Sequence, residues 1–144
     1  MPRALVDTSV LFAAGYRRDG AHDEALPILT GIDSADLPEA VIVDHVLAET
    51  LNGLTTHAGH SAAVDFFDRL EENARIHIDS LTSDGFATAK GLFRQYEQFS
   101  FVDAAVVAYI QAEGLGYLYA FDDDFDAAAD VDRLDTATNP YRPG

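Results

Sequence analysis

The chain has 144 residues, 48% of them hydrophobic, no cysteine, and 25 acidic against 9 basic residues, for a formal net charge of −16. This length suits one domain with a sizeable core, and the apolar content excludes wholesale disorder. Without cysteine there are no disulfides, thiolate nucleophiles or zinc–thiolate sites, and no apolar run approaches the ~20 residues of a bilayer span.

Apolar β-type runs alternate with helical patterns, which predicts an α/β domain whose sheet is mainly parallel and flanked by helices. The start Met1-Pro2-Arg3 leads into a strand over residues 3–6 with no secretory leader, so a cytoplasmic location is expected. A short helix follows at 9–14, then a helix-like segment at 21–32 that Pro27 should kink or divide. Residues 40–43 read as a buried strand or an extended lead into the next helix. That helix is capped by Asp44 and runs to about His57, with Leu47, Leu51 and Leu54 facing the core. A helix at 61–73 carries the stripe Val64, Phe67, Leu70, and Ile76-His77-Ile78 alternates like a strand. The pattern at 83–99 predicts a helix with Phe86, Ala89, Phe93 and Tyr96 inward. Next come a helix opened by Asp103, a stop at Gly114-Leu115-Gly116, a strand at 117–121 and a short strand near 133–136. The folded unit is expected over residues 1–138, and the proline-containing tail 139–144 is expected to be mobile.

Four acids sit where apolar runs end or helices begin: Asp7, Glu49, Asp103 and Asp122. Carboxylates in such places are costly unless paired or bound to a cation. A group of them, far apart in sequence, suits Mg²⁺ or Mn²⁺ and phosphodiester chemistry. Asp7 and Asp122 both follow strands, where parallel sheets bind ligands. Each acid also has a plain reading. Asp7 or Thr8 can cap a helix; Glu49 can be a solvated helical acid with Asn52 one turn on; Ser100 and Asp103 fit a variant capping box. Asp103 nevertheless shares a face with Val106, Val107 and Ile110, so cap and ligand are compatible. The run Asp122-Asp123-Asp124-Phe125-Asp126 is not a calcium loop, because Ala127 and Arg133 stand where glycine and glutamate are needed. No nucleophile elbow, P-loop or dinucleotide fingerprint appears, and His22, His45, His57, His60 and His77 form no metal pattern.

Taken together, Leu5-Val6-Asp7-Thr8-Ser9, Val46-Leu47-Ala48-Glu49-Thr50-Leu51-Asn52, Ser100-Phe101-Val102-Asp103-Ala104 and Phe121-Asp122-Asp123-Asp124-Phe125 resemble a PIN-domain protein of the VapC-like type. Each motif is short, but the ordered set spans nearly the whole chain. The resemblance implies a Rossmann-like domain with a carboxylate pocket for Mg²⁺ or Mn²⁺ and metal-dependent endoribonuclease activity. It assigns the catalytic positions to Asp7, Glu49, Asp103 and Asp122, adds Asp124 as a fifth acid, and makes Ser9 a supporting hydroxyl. It also implies an RNA substrate, a small antitoxin encoded alongside, and a homodimer.

The surface departs from that pattern, because few cations remain to guide RNA. Arg17, Arg18 and Arg94 are the candidate phosphate contacts, and Asn52 a second polar group beside Glu49. The acidity is spread along the chain, which favours adaptation to molar salt and predicts a haloarchaeal origin. A catalytically silent metal- or partner-binding module and a housekeeping RNA-processing nuclease are the competing readings.

Overall fold

The computed structural model describes residues 2–142. The elements are β1 Arg3–Val6, α1 Thr8–Gly15, α2 His22–Asp33, β2 Glu39–Val43, α3 Asp44–Ala58, α4 His60–Glu72, β3 Ile76–Asp79, α5 Ser83–Gln95, α6 Phe101–Glu113, β4 Tyr117–Tyr119, a 3₁₀ turn Asp123–Ala127, and β5 Asp132–Leu134. All strand pairings are parallel, in the order β3-β2-β1-β4-β5. Short continuous apolar runs make the inner strands: Ala4-Leu5-Val6 and Ala40-Val41-Ile42-Val43 are buried throughout, as in a sheet covered on both faces.

The chain winds outward from β1 through β2 to β3, then returns to place β4 on the other side of β1. This reversal opens a crevice at the carboxyl ends of β1 and β4. Helix α1 packs on α2 and α3, α3 on α4, and α5 on α6. With right-handed crossovers, which parallel connections almost always take, α5 and α6 cover the opposite face from α1–α4. Every residue of α6 from Asp103 to Ile110 is buried. Gly114, at φ 66°, ends α6 in the left-handed conformation that favours glycine.

Several sequence expectations need correction. Helix α2 runs unbroken through Pro27, whose side chain is exposed. Its lost N–H costs one helical bond on the solvent side. The buried stripe of α3 is Val46, Thr50 and Leu54, with Leu47 and Leu51 half-buried at its edges. In α4, Ala63 and Leu70 face inward, Phe67 is half-buried and Val64 is exposed. Helix α5 stops at Gln95, and Gly85, Ala89 and Leu92 form its buried face, leaving Phe86 and Phe93 exposed. Gly85 leaves room for Leu81 of the preceding loop, whose side chain a Cβ there would approach within 2.7 Å. The strand after Gly116 ends at Tyr119, where the chain leaves the sheet for the 3₁₀ turn. The last strand lies slightly earlier than expected, at Asp132–Leu134. The start of the expected tail is docked: Asn139 Nδ2 donates to Asp36 O at 2.9 Å and Tyr141 OH to Arg3 O at 2.8 Å. Residues 143 and 144 lie outside the described residues.

Candidate metal centre

Each candidate acid is aimed by a local device. Asp7 leaves β1 and caps α1; its Oδ2 accepts from Ser9 N at 3.2 Å and Ser9 Oγ at 2.8 Å. Ser9 Oγ in turn accepts from Phe121 N at 3.0 Å, so one hydroxyl joins the carboxyl ends of β1 and β4. The backbone closes the same seam, with Asp7 N donating to Tyr119 O at 3.0 Å. Asp103 lies in the first turn of α6 as the third residue of a capping box. Its Oδ2 accepts from Ser100 N at 3.0 Å while Asp103 N donates to Ser100 Oγ at 3.1 Å. Asp122 caps the 3₁₀ turn, accepting from Asp124 N at 2.9 Å. Phe125, fully buried, anchors that turn. Capping therefore orients the acids and does not replace a ligand role.

The fold brings Asp103, Asp122 and Asp124 together, with one oxygen of each within 4.8 Å of the others. Asp7 and Glu49 stand outside this tight group, but their charges reach it. Burial pushes the Asp7 carboxyl up to about 6, and the Asp103 charge adds to the rise against the Ser9 hydrogen bonds. Burial also raises Asp103, helped by the charges of Asp122 and Glu49 and opposed by Ser100. Asp124 is raised chiefly by the charge of Asp122 beside it. Among the described residues, no lysine or arginine forms an ion pair with any of these acids. Clustered carboxylates without a cation repel one another, and a hard divalent ion with oxygen ligands relieves that repulsion. The donor set, all carboxylate and half-buried or buried, fits Mg²⁺ or Mn²⁺.

Glu49 and Asn52 are both exposed on α3, and the charge of Glu49 reaches Asp103. The arginines are not gathered there. Arg17 and Arg18 follow the far end of α1, about 12 Å of helix from Asp7. Arg17 lines a separate cleft of about 790 Å³ between α1, α2 and α4. Arg94 is exposed in the last turn of α5. Asp7 and not Thr8 caps α1, and the hydroxyls of Thr8 and of Thr50, which sequence reasoning overlooked, are buried without a hydrogen-bond partner, each directly after a candidate acid. An acid–threonine pair is too common a signal to single them out.

A doubly wound parallel sheet with acids gathered at its switch point defines a class of carboxylate metal-site domains. The chain belongs to the PIN-domain family, whose model matches residues 4–131. It is 33% identical over 130 residues to the 23S rRNA-specific endonuclease VapC20 of Mycobacterium tuberculosis, covering 89% of this chain and 95% of that protein. The crystal structure of that sarcin-ricin loop cleaving toxin superimposes with a TM-score of 0.76 at 32% identity, over 88% of this chain and 95% of the other. The fold is shared with VapBC2 from Rickettsia felis, solved bound to a promoter DNA fragment, at a TM-score of 0.70 and 15% identity over 92% and 98% of the two chains.

Proposed function

We propose that this protein is a divalent-metal-dependent endoribonuclease that hydrolyses RNA phosphodiester bonds and acts as the toxin of a toxin–antitoxin pair. The observation that carries this reading is the unpaired carboxylate group Asp103, Asp122 and Asp124 at the sheet's switch point, next to Asp7. The VapC20 relative, an rRNA endonuclease by its name, supports RNA as substrate, and a loop of large-subunit rRNA is the first target to try. The Klebsiella pneumoniae toxin–antitoxin complex has the same fold, at a TM-score of 0.61, which makes a small antitoxin the expected partner. Self-association of two copies belongs to the same reading.

In this reading Asp7, Asp103, Asp122 and Asp124 hold Mg²⁺ or Mn²⁺, and Glu49 orients the attacking water. When bound, the ion lowers the pKa of that water and polarises the phosphate. Ser9 is a positioning residue, fixing Asp7 against Phe121 N. Asn52, one turn from Glu49, offers the substrate a neutral hydrogen-bonding group. Burial pushes the Asp7 carboxyl up to about 6, and a cation held there would favour its ionised form. The dispersed acidity, 25 acids against 9 bases, suits a cytoplasm of molar salt such as that of halophilic archaea. No helix among the described residues is long and apolar enough to cross a membrane.

The test is cleavage of a mixed RNA pool containing rRNA, in high salt with Mg²⁺ or Mn²⁺, with EDTA and Asp7→Asn controls. Cleavage that needs metal and is lost in Asp7→Asn is expected. A folded, metal-binding protein that cleaves nothing would shift the assignment to a silent binding module.

A further inference from the structure

We infer that the rings of Phe12, Tyr16 and His57 are a stacking platform for unpaired bases of the RNA substrate, set down the α1–α3 seam from the metal centre. The inference rests on the ribonuclease reading and gives it a substrate subsite. The three rings form a triangle: the Phe12 and Tyr16 centroids lie 5.4 Å apart, Phe12 and His57 5.6 Å, and Tyr16 and His57 5.7 Å. They meet at 43°, 70° and 40°, so none covers another face to face and their π-faces are not used on one another. His57 is exposed and the other two are half-buried. Gly53 lets Phe12 lie against α3, since a Cβ there would stand 3.1 Å from the ring.

Placement ties the rings to the acids. Helices α1 and α3 pack together and both start at the carboxyl ends of parallel strands, α1 directly after Asp7 and α3 with Glu49 in its second turn. Phe12 and Tyr16 follow Asp7 by five and nine residues, and His57 follows Glu49 by eight. The rings therefore stand about 8 to 13 Å along the helix axes from the acids. Glu49, Asn52, Gly53, Thr56 and His57 recur at three- and four-residue spacing, so one face of α3 joins the two places. Asn52 and Thr56, both exposed, line that face with neutral hydrogen-bonding groups.

Charge keeps the same track open to a polyanion. The chain has 25 acids in 144 residues, yet residues 8–18 and 50–64 contain none, and these are α1 and most of α3 with their flanks. Arg18, exposed two residues after Tyr16, forms no ion pair among the described residues, which suits it to a phosphate; Arg17 instead lines the cleft toward α2 and α4. At a net charge of −16, phosphate contacts alone hold RNA poorly, and molar salt weakens them further. Stacking on an aromatic face serves every base and contributes about tenfold or more in affinity per base. Paired bases cannot reach such rings, so the ligand is an unpaired stretch of RNA.

Tryptophan is absent from the chain, so Tyr16→Trp puts a single indole in the platform and keeps an aromatic ring there. The test titrates the full chain carrying Tyr16→Trp and Asp7→Asn, with Mg²⁺ in molar salt, with a short single-stranded RNA. Indole emission should be quenched by this RNA and not by the same RNA annealed to its complement. With Asp7 intact, Tyr16→Ala and His57→Ala should each raise KM for RNA cleavage about tenfold with kcat nearly unchanged. An unquenched indole, equal quenching by single strand and duplex, or wild-type KM in both alanine variants would each overturn the platform. A lowered melting temperature with KM unchanged would reduce the rings to a clamp between α1 and α3, and quenching by an antitoxin but not by RNA would assign them to that partner. The two readings fail separately: quenching by single-stranded RNA in a protein that cleaves none would sustain the platform and sink the nuclease, and cleavage with an unquenched indole would do the reverse.

Discussion

Asp7 and Glu39 are both carboxylates on the central sheet, 4% and 9% exposed, yet they behave oppositely. Glu39 opens β2 at the amino ends of the strands, with His77 Nε2 2.6 Å from its Oε1. That hydrogen bond, with the charges of His77, Arg75 and Arg3, holds Glu39 below the usual carboxylate range. Asp7 closes β1 at the other end, takes hydrogen bonds from Ser9 and the Thr8 backbone but has no cation beside it, and burial pushes it up to about 6. The contrast recurs within the 3₁₀ turn, where Arg133 lowers Asp126 and Asp122 raises Asp124. Glu39 and Asp126 are answered by cations within the protein; Asp7, Asp103, Asp122 and Asp124 are left for an external one. An unanswered buried acid costs stability, which is the mark of a functional position.

The comparison breaks most sharply at Asp7. Asp7→Asn is expected to lower RNA cleavage by about 10³-fold or more, while the metal-free protein becomes more stable at pH 8. A folded-state value of about 6, against the ordinary 3.8, means that stability is fully present below 3.8 and is lost as pH rises through 6. The neutral amide removes this penalty, at most about 3 kcal/mol, read by urea denaturation at pH 5 and pH 8. Ser9→Ala should cost cleavage about 10- to 100-fold, the scale for losing a group that orients a metal ligand, measured as metal-dependent turnover. Glu39→Gln should leave cleavage unchanged and destabilise by about 1–2 kcal/mol above pH 5. Its lowered value makes the stabilisation present above the ordinary 4.5 and lost as pH falls through the folded value, so wild type and variant should converge in acid melts. Smallest of all, Asp126→Asn removes an exposed pair with Arg133 and should leave melting and cleavage almost unaltered.

The strands were legible because Ala4-Leu5-Val6 and Ala40–Val43 are apolar throughout and bounded by polar residues. The acids were legible as charges placed next to such runs, and Ser100 announced both the start of α6 and the orientation of Asp103. Periodicity failed where a helix has two apolar faces. In α5 the large residues Phe86 and Phe93 drew the expected core stripe, but Gly85 and Ala89 fill the inner face because close packing selects small side chains there. Sheet order was not legible: nothing local in β4 says that it pairs with β1, and that pairing sets Asp122 near Asp103. The tight group of Asp103, Asp122 and Asp124, with Asp7 just outside it, depends on the turn after β4; the aspartate run favours a turn there, but only the tertiary fold brings it to Asp103.

The most direct measurement is the thermal unfolding of wild type and Asp103→Asn at pH 8, each with and without Mn²⁺. Unanswered carboxylates predict opposite signs: Asp103→Asn melts higher than wild type without metal, and Mn²⁺ raises wild type far more than the variant. Equal stabilisation of both proteins by Mn²⁺, or a lower metal-free melting temperature in the variant, would contradict a metal centre built on Asp103.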